Sequence, residues 1–133
     1  MRIKSKGGID KRIRRTLRQI VKGYHPERVY LFGSAARGDD DEYSDLDFAV
    51  IAKSSLKFID RLLESIKFVD DTRSDILVYT PAEFEEMVAK GNDFAANILK
   101  GRLLYEKQRH GPIAQVVRAA IRQVDGLKIK MGL

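Results

Sequence analysis

Two aspartates, Asp45 and Asp47, stand one residue apart in Ser44-Asp45-Leu46-Asp47 and lead into an apolar run through Ala52. In an extended segment successive side chains alternate, so both carboxylates project from one face, next to each other along the strand. Two carboxylates that close repel by roughly 4 kcal/mol at about 4 Å and an effective dielectric of about 20, a cost that a cation or an arginine must offset. A divalent metal is the simplest answer. Carboxylate oxygens suit hard ions, and magnesium takes one or two carboxylates together with waters and the oxygens of a substrate phosphate. Asp75 opens a third apolar run, Asp75 to Tyr79. If that run lies beside the second one, its carboxylate reaches the same face, and three carboxylates can hold two metals.

Ahead of the aspartates comes Gly33-Ser34, directly after the apolar Val29 to Phe32. A glycine lets the backbone approach a ligand closely, and a helical turn opening at Ser34 offers unpaired amides and a hydroxyl to phosphate oxygens. An anion site beside a cation site describes a place for a nucleoside triphosphate. Other phosphate and metal motifs fit less well. The Gly-Lys-Ser/Thr end of a Walker loop and the three spaced glycines of a dinucleotide fingerprint are both absent. An EF-hand fails because Tyr43 stands where a ligand belongs. A bare Asp-x-Asp also serves glycosyltransferases that hold sugar nucleotides through a metal, and the glycine-serine turn and Asp75 argue against that reading.

The elements around these residues follow from periodicity. Ile9, Ile13, Leu17, Ile20 and Val21 keep helical spacing among many Lys and Arg residues, with Gly23 as the expected stop. Strands are expected at Val29 to Phe32, Asp45 to Ala52 and Asp75 to Tyr79, with a possible fourth at Arg102 to Tyr105. Leu56, Ile59, Leu62, Leu63 and Ile66 give helical spacing over 54 to 69. Thr80 can cap a helix opening at Pro81, and Phe94 to Leu99 makes another short one. An amphipathic helix over 112 to 125 carries Ile113, Val116, Val117, Ala120, Ile121 and Val124 on one stripe. Helices interleaved with short strands give an α/β or α+β domain with one small mixed sheet.

Gly33-Ser34-Ala35-Ala36-Arg37-Gly38 followed by Ser44-Asp45-Leu46-Asp47 resembles the GSxARG and SDLD pattern of the minimal nucleotidyltransferases of the DNA polymerase beta superfamily. His25 to Ser34, Asp75 to Val78 with Thr80 to Phe84, and Gly101 to Glu106 resemble the same family, so the likeness spans roughly residues 10 to 107. It implies a mixed sheet backed by helices, with the glycine-serine turn after the first strand. It also implies transfer of a nucleoside monophosphate, AMP from ATP, to an acceptor hydroxyl with release of pyrophosphate. By position, Asp45 and Asp47 become the metal-binding pair and Asp75 the third carboxylate. Gly33, Ser34 and Arg37 become nucleotide-binding residues, Arg37 meeting phosphate or acceptor. Two Mg²⁺ ions are expected, stabilising attacking and leaving oxygens. Many such proteins work beside a HEPN-domain partner in toxin and antitoxin pairs, some by transferring AMP to it. Two alternatives stand: a non-catalytic antitoxin that masks its partner, and a transferase acting on small molecules.

At 133 residues the chain is expected to form one domain, with a core near 10 to 107 and the helix over 112 to 125 beyond it. The stripe of that last helix is expected to bury against the domain itself, with a second copy or another protein as the other covers. Basic residues concentrate in 1 to 28 and 100 to 133 and acids in 29 to 99, within a net charge of +6. The basic first helix lacks the interleaved aromatics that stacking on single strands needs, so nucleic acid is possible but not favoured. The absence of cysteine excludes disulfides, thiolate metal sites and a cysteine nucleophile, and suits the cytoplasm. No membrane-spanning segment is expected. Asp39 to Glu42, Asp70 and Asp71 read as solvated loop residues, and His25 and His110 as outside the chemistry.

Overall fold

A computed structural model describes residues 6–38 and 43–108. The acidic cluster at 39–42, His110 and the expected helix over 112 to 125 lie outside the described residues. The first helix, α1 (Lys6–Tyr24), precedes strand β1 (Arg28–Phe32), and a single 3₁₀ turn, Ser34–Arg37, leads toward β2 (Leu46–Ile51). Helix α2 (Phe58–Phe68), β3 (Ser74–Tyr79), α3 (Pro81–Ala89), α4 (Asp93–Leu99) and β4 (Arg102–Glu106) follow.

The four strands form one sheet in the order β3-β2-β1-β4. β1 is antiparallel to both β2 and β4, whereas β2 and β3 run parallel, joined through α2. The sheet is therefore mixed, as expected. Its central strands are apolar on both faces because both faces are covered. Val29, Leu31, Phe48 and Val50 pack against Ile9, Ile13 and Ile20 of α1. Tyr30, Phe32, Ala49 and Ile51 pack against Phe84 of α3 and Ala95 and Ile98 of α4. Each such side chain taken fully out of water contributes about 1.5 to 3 kcal/mol.

Three local expectations change. α1 continues to Tyr24, and Gly23 lies inside its last turn. A Cβ at Gly23 would come within 2.4 Å of the Phe68 ring, so the glycine admits that ring instead of ending the helix. α2 spans fewer residues than the apolar spacing suggests, and Ile59, Leu63 and Ile66 of that stripe are exposed, Ile66 by 74%. The residue that α2 buries is Arg61, 3% exposed. Its guanidinium donates to the carbonyls of Leu56 and Val78 and, at 2.7 and 2.9 Å, to both carboxylate oxygens of Glu83. Thr80 and Glu83 also form a complete capping box at the start of α3, with Pro81 in the first turn. One guanidinium thus ties α2, β3 and α3 together.

Asp70 and Asp71, expected as solvated, are ion-paired. Arg12 of α1 grips Asp71 with two donors at 2.8 and 3.0 Å and donates to the Ser44 carbonyl at 2.7 Å. Arg15 pairs with Asp70 at the surface. The Arg12 guanidinium beside Asp71 holds that carboxyl below its usual range. Part of the basic face of the first helix is therefore spent on the loop before β3. Among the described residues no helix is long and apolar enough to cross a membrane.

Candidate active site

β2 reads Leu46-Asp47-Phe48-Ala49-Val50-Ile51, and every residue but Asp47 is buried. A carboxylate in the middle of a sheet is unfavourable both for strand formation and for desolvation, so nothing in the packing calls for it. Its neighbour across the parallel pair is Asp75, the register partner of Asp47. In a parallel ladder register partners stand side by side on the same face, strands about 4.8 Å apart. The two carboxylates from separate strands therefore share one side of the sheet.

Asp47 and Asp75 line one cleft of about 560 Å³, together with Phe32, Ser74, Leu77 and Phe94. Leu62 and Ser65 of α2 and Ile76 of β3 also line it, so the cleft lies at the β3 edge of the sheet between α2 and Phe94 of α4; farther along, the face that bears Asp47 is closed by Phe84, Ala95 and Ile98. Phe32, at the end of β1, is the antiparallel register partner of Asp47. Carboxylates therefore sit at the boundary between an apolar floor and solvent, with Asp75 exposed and Asp47 partly buried.

The chain after Phe32 turns sharply. Gly33 has φ 75 and ψ −157, a region that essentially only glycine occupies. A Cβ there would lie 2.6 Å from Oδ2 of Asp47, closer than real Cβ atoms approach any neighbour. Glycine at this position therefore does two things: it makes the turn, and it leaves the space that the Asp47 carboxylate fills. The 3₁₀ turn Ser34–Arg37 begins next and closes with Gly38 in the left-handed region. The first amides of such a turn have no acceptor within it, and the Ser34 hydroxyl stands beside them. Arg37, in its last position, is exposed.

Asp45 lies one residue before β2, exposed, and is not among the residues lining the cleft. Its approach to the strand is fixed from outside by Arg12, which donates to the Ser44 carbonyl, and by Arg73, which donates to the Tyr43 carbonyl. The Leu46 amide in turn donates to the Arg73 carbonyl at 3.0 Å. Reading residues in chain order missed Arg12 and Arg73, because their partners lie about 30 residues away and no local spacing marks them. Phe94 was missed as well, as an ordinary helical apolar residue.

All candidate ligands are carboxylate oxygens, the donor set of a hard divalent cation. Among the described residues no three His, Cys, Asp or Glu side chains group so as to hold a metal ion by themselves. A cation seated on Asp47 and Asp75 would take its other ligands from water and substrate, as magnesium does when it bridges to phosphate.

The chain is similar to known proteins in sequence and in fold. The family model described as polymerase beta, nucleotidyltransferase, matches residues 15–110. Over 83 residues, 59% of this chain and 70% of the relative, the sequence is 36% identical to a Haemophilus influenzae protein named probable protein adenylyltransferase MntA. The fold overlays a Sulfolobus solfataricus protein described as a nucleotidyltransferase, with TM-score 0.54 over 83% of this chain and 96% of that one, at 22% identity. A toxin-antitoxin structure with AMP-PNP overlaps at TM-score 0.44 and 22% identity over 86% of each chain, too little to bear on function.

Proposed function

Since the chain belongs to the polymerase beta nucleotidyltransferase family, we propose that it moves AMP from ATP to a hydroxyl on a partner protein, as the antitoxin of a toxin and antitoxin pair. The observation that carries the chemistry is the in-register pair Asp47 and Asp75 beside a turn that packs on Asp47 through Gly33. The protein acceptor is favoured by the relative named as a protein adenylyltransferase. A HEPN-domain protein is the partner that the resemblance of Gly33–Gly38 and Ser44–Asp47 implies.

In this reading Ser34 and the first amides of its turn hold phosphate oxygens, and Arg37 meets phosphate or acceptor. Asp47 and Asp75, with Asp45 at the entry of the strand, would hold Mg²⁺, two ions being expected. The metal would supply positive charge to the phosphates and to the acceptor oxygen. The protein's own part is positioning. Asp47 holds the cation side against the anion side at a contact distance set by Gly33, and Asp75 flanks it from the next strand. The acceptor hydroxyl gives up its proton to solvent as its oxygen bonds to the α-phosphorus, the bond from that phosphorus to the bridging oxygen breaks, and pyrophosphate leaves. The cleft floor of Phe32, Leu77 and Phe94 excludes water from one side of the reaction.

The test mixes the full chain with α-labelled ATP, Mg²⁺ or Mn²⁺ and the protein encoded beside it. Label should appear on that protein with wild type and be lost with Asp47→Asn. Absence of transfer under either metal would refute the reading. Neutralisation of the partner by an Asp45, Asp47 double variant that transfers no label would instead favour masking without catalysis.

A further inference from the structure

We propose that the ring of Phe94 is the platform on which the nucleobase of the donor stacks. This deepens the nucleotide-transfer reading and rests on it. A lone exposed phenylalanine is ordinary. Phe94 differs in where it stands: it is 40% exposed and lines the same cleft as Asp47 and Asp75. Behind it lies Phe32, with ring centroids 5.5 Å apart and planes at 85°. An edge-to-face contact of this kind engages at most one face of the Phe94 ring.

The ring is also held in place. α4 is anchored by Asn92, whose side chain accepts from the Ala95 amide at 3.0 Å, and by the fully buried Ala95 and Ile98. Phe94 thus stands on a fixed turn, and stacking on it orders little that is not ordered already. Its distance from the phosphate side fits one nucleotide. Phe32 directly precedes Gly33 and pairs with Asp47. With the Cβ atoms of the cross-strand neighbours Phe32 and Asp47 about 5 Å apart, a further ~3 Å from the Phe32 Cβ to its ring centre and the 5.5 Å ring separation, the Phe94 ring lies within roughly 14 Å of Asp47, a distance that an extended nucleoside triphosphate can span. This continuity with the glycine-serine turn favours the donor base over an aromatic ring of the acceptor. Stacking is tolerant of base identity, so the platform should grip a purine more firmly than a pyrimidine without excluding either.

Isothermal titration of the full chain in Mg²⁺ with ATP, CTP and inorganic tripolyphosphate tests this. Phe94→Ala should weaken ATP binding about tenfold or more, weaken CTP less, and leave tripolyphosphate unchanged. Phe94→Leu, which keeps the apolar bulk for folding, should fall with it, and Phe94→Tyr should bind as wild type. Unchanged ATP affinity in Phe94→Ala, or an equal loss for ATP and tripolyphosphate, would overturn the proposal. So would normal ATP binding with lost transfer to the partner, which would assign the ring to the acceptor. Wild-type protein that binds neither ATP nor tripolyphosphate would overturn the nucleotide-transfer reading itself, and the platform with it.

Discussion

Gly33→Ala should harm the protein by two routes that can be separated. The first is backbone strain: a side chain at φ 75 and ψ −157 costs about 1 to 3 kcal/mol. The second is contact, because the new Cβ would sit 2.6 Å from Oδ2 of Asp47; the partly buried carboxylate can rotate away, at a cost of about 0.5 to 1.5 kcal/mol. The variant should therefore lose about 1.5 to 4.5 kcal/mol by urea denaturation, and transfer by the protein that remains folded should also fall because Asp47 is pushed off its position. A displacement of about 1 Å at such a site can cost on the order of a hundredfold. Asp47→Ala removes the clashing carboxylate and leaves the strain, so in that background Gly33→Ala should cost only the first amount. The double-mutant cycle should show a coupling of about 0.5 to 1.5 kcal/mol. Equal costs in both backgrounds would mean that glycine and carboxylate do not touch, and a cost near zero in either would refute the geometry of the turn.

Asp75→Asn should separate function from stability: it removes one of two like charges on adjacent strands, a relief of up to about 1 kcal/mol, so the melting temperature should hold or rise while label transfer falls a hundredfold or more. A loss of stability would argue that Asp75 is structural. The stability of the domain should also fall in acid through Glu83, whose carboxyl is held down to about 2, chiefly by the hydrogen bond from Arg61. A depressed carboxyl stabilises the fold above its unfolded value, near 4.5, and loses that contribution as pH falls from there toward 2. With Glu83 42% exposed, solvent screening limits the effect to roughly 1 to 2 kcal/mol. Glu83→Gln should flatten this part of the pH profile, and an unchanged profile would refute the assignment. Arg12→Gln should cost about 1 to 3 kcal/mol and lower kcat by freeing the approach to Asp45, whereas Asp71→Asn, which leaves the bond from Arg12 to Ser44, should lower stability with a smaller effect on kcat. Equal effects on kcat would mean that Arg12 acts through Asp71 alone.

Much of this site could be read along the chain because its signals are local. Gly33-Ser34 follows an apolar run, Asp47 interrupts one, and Thr80 followed by Pro81 spells a helix start that the structure repeats. The in-register meeting of Asp47 with Asp75 needed only that β2 and β3 be neighbours, which their connection through one helix makes natural. What stayed hidden depends on distant partners. Nothing around Asp71 announces Arg12, and nothing around Glu83 announces a guanidinium buried from another helix. The α2 stripe misleads for a related reason. Ile59, Leu63 and Ile66 have the period of a buried face, yet α2 turns a different side inward to deliver Arg61 beneath α3. Periodicity reports that a helix forms and not which face its neighbours will accept.

The two ends of one strand explain why such a small domain can carry an expensive site. Along the face of β2 that bears Asp47, the next residues are Ala49 and Ile51, both fully buried under α3 and α4. The strand is thus anchored at one end and exposed to chemistry at the other. The Arg61–Glu83 pair ties α2 to α3 near the covered end, and Arg12 ties α1 to Ser44 near the open one. Charged groups that would be a liability in the core are placed where each has a stated task, either crosslinking elements or facing the cleft. Substitutions near the covered end should therefore move stability with little change in nucleotide affinity, and those of the cleft carboxylates Asp47 and Asp75 should do the reverse. Gly33 belongs to both sets at once, which is why its replacement is the experiment that discriminates most.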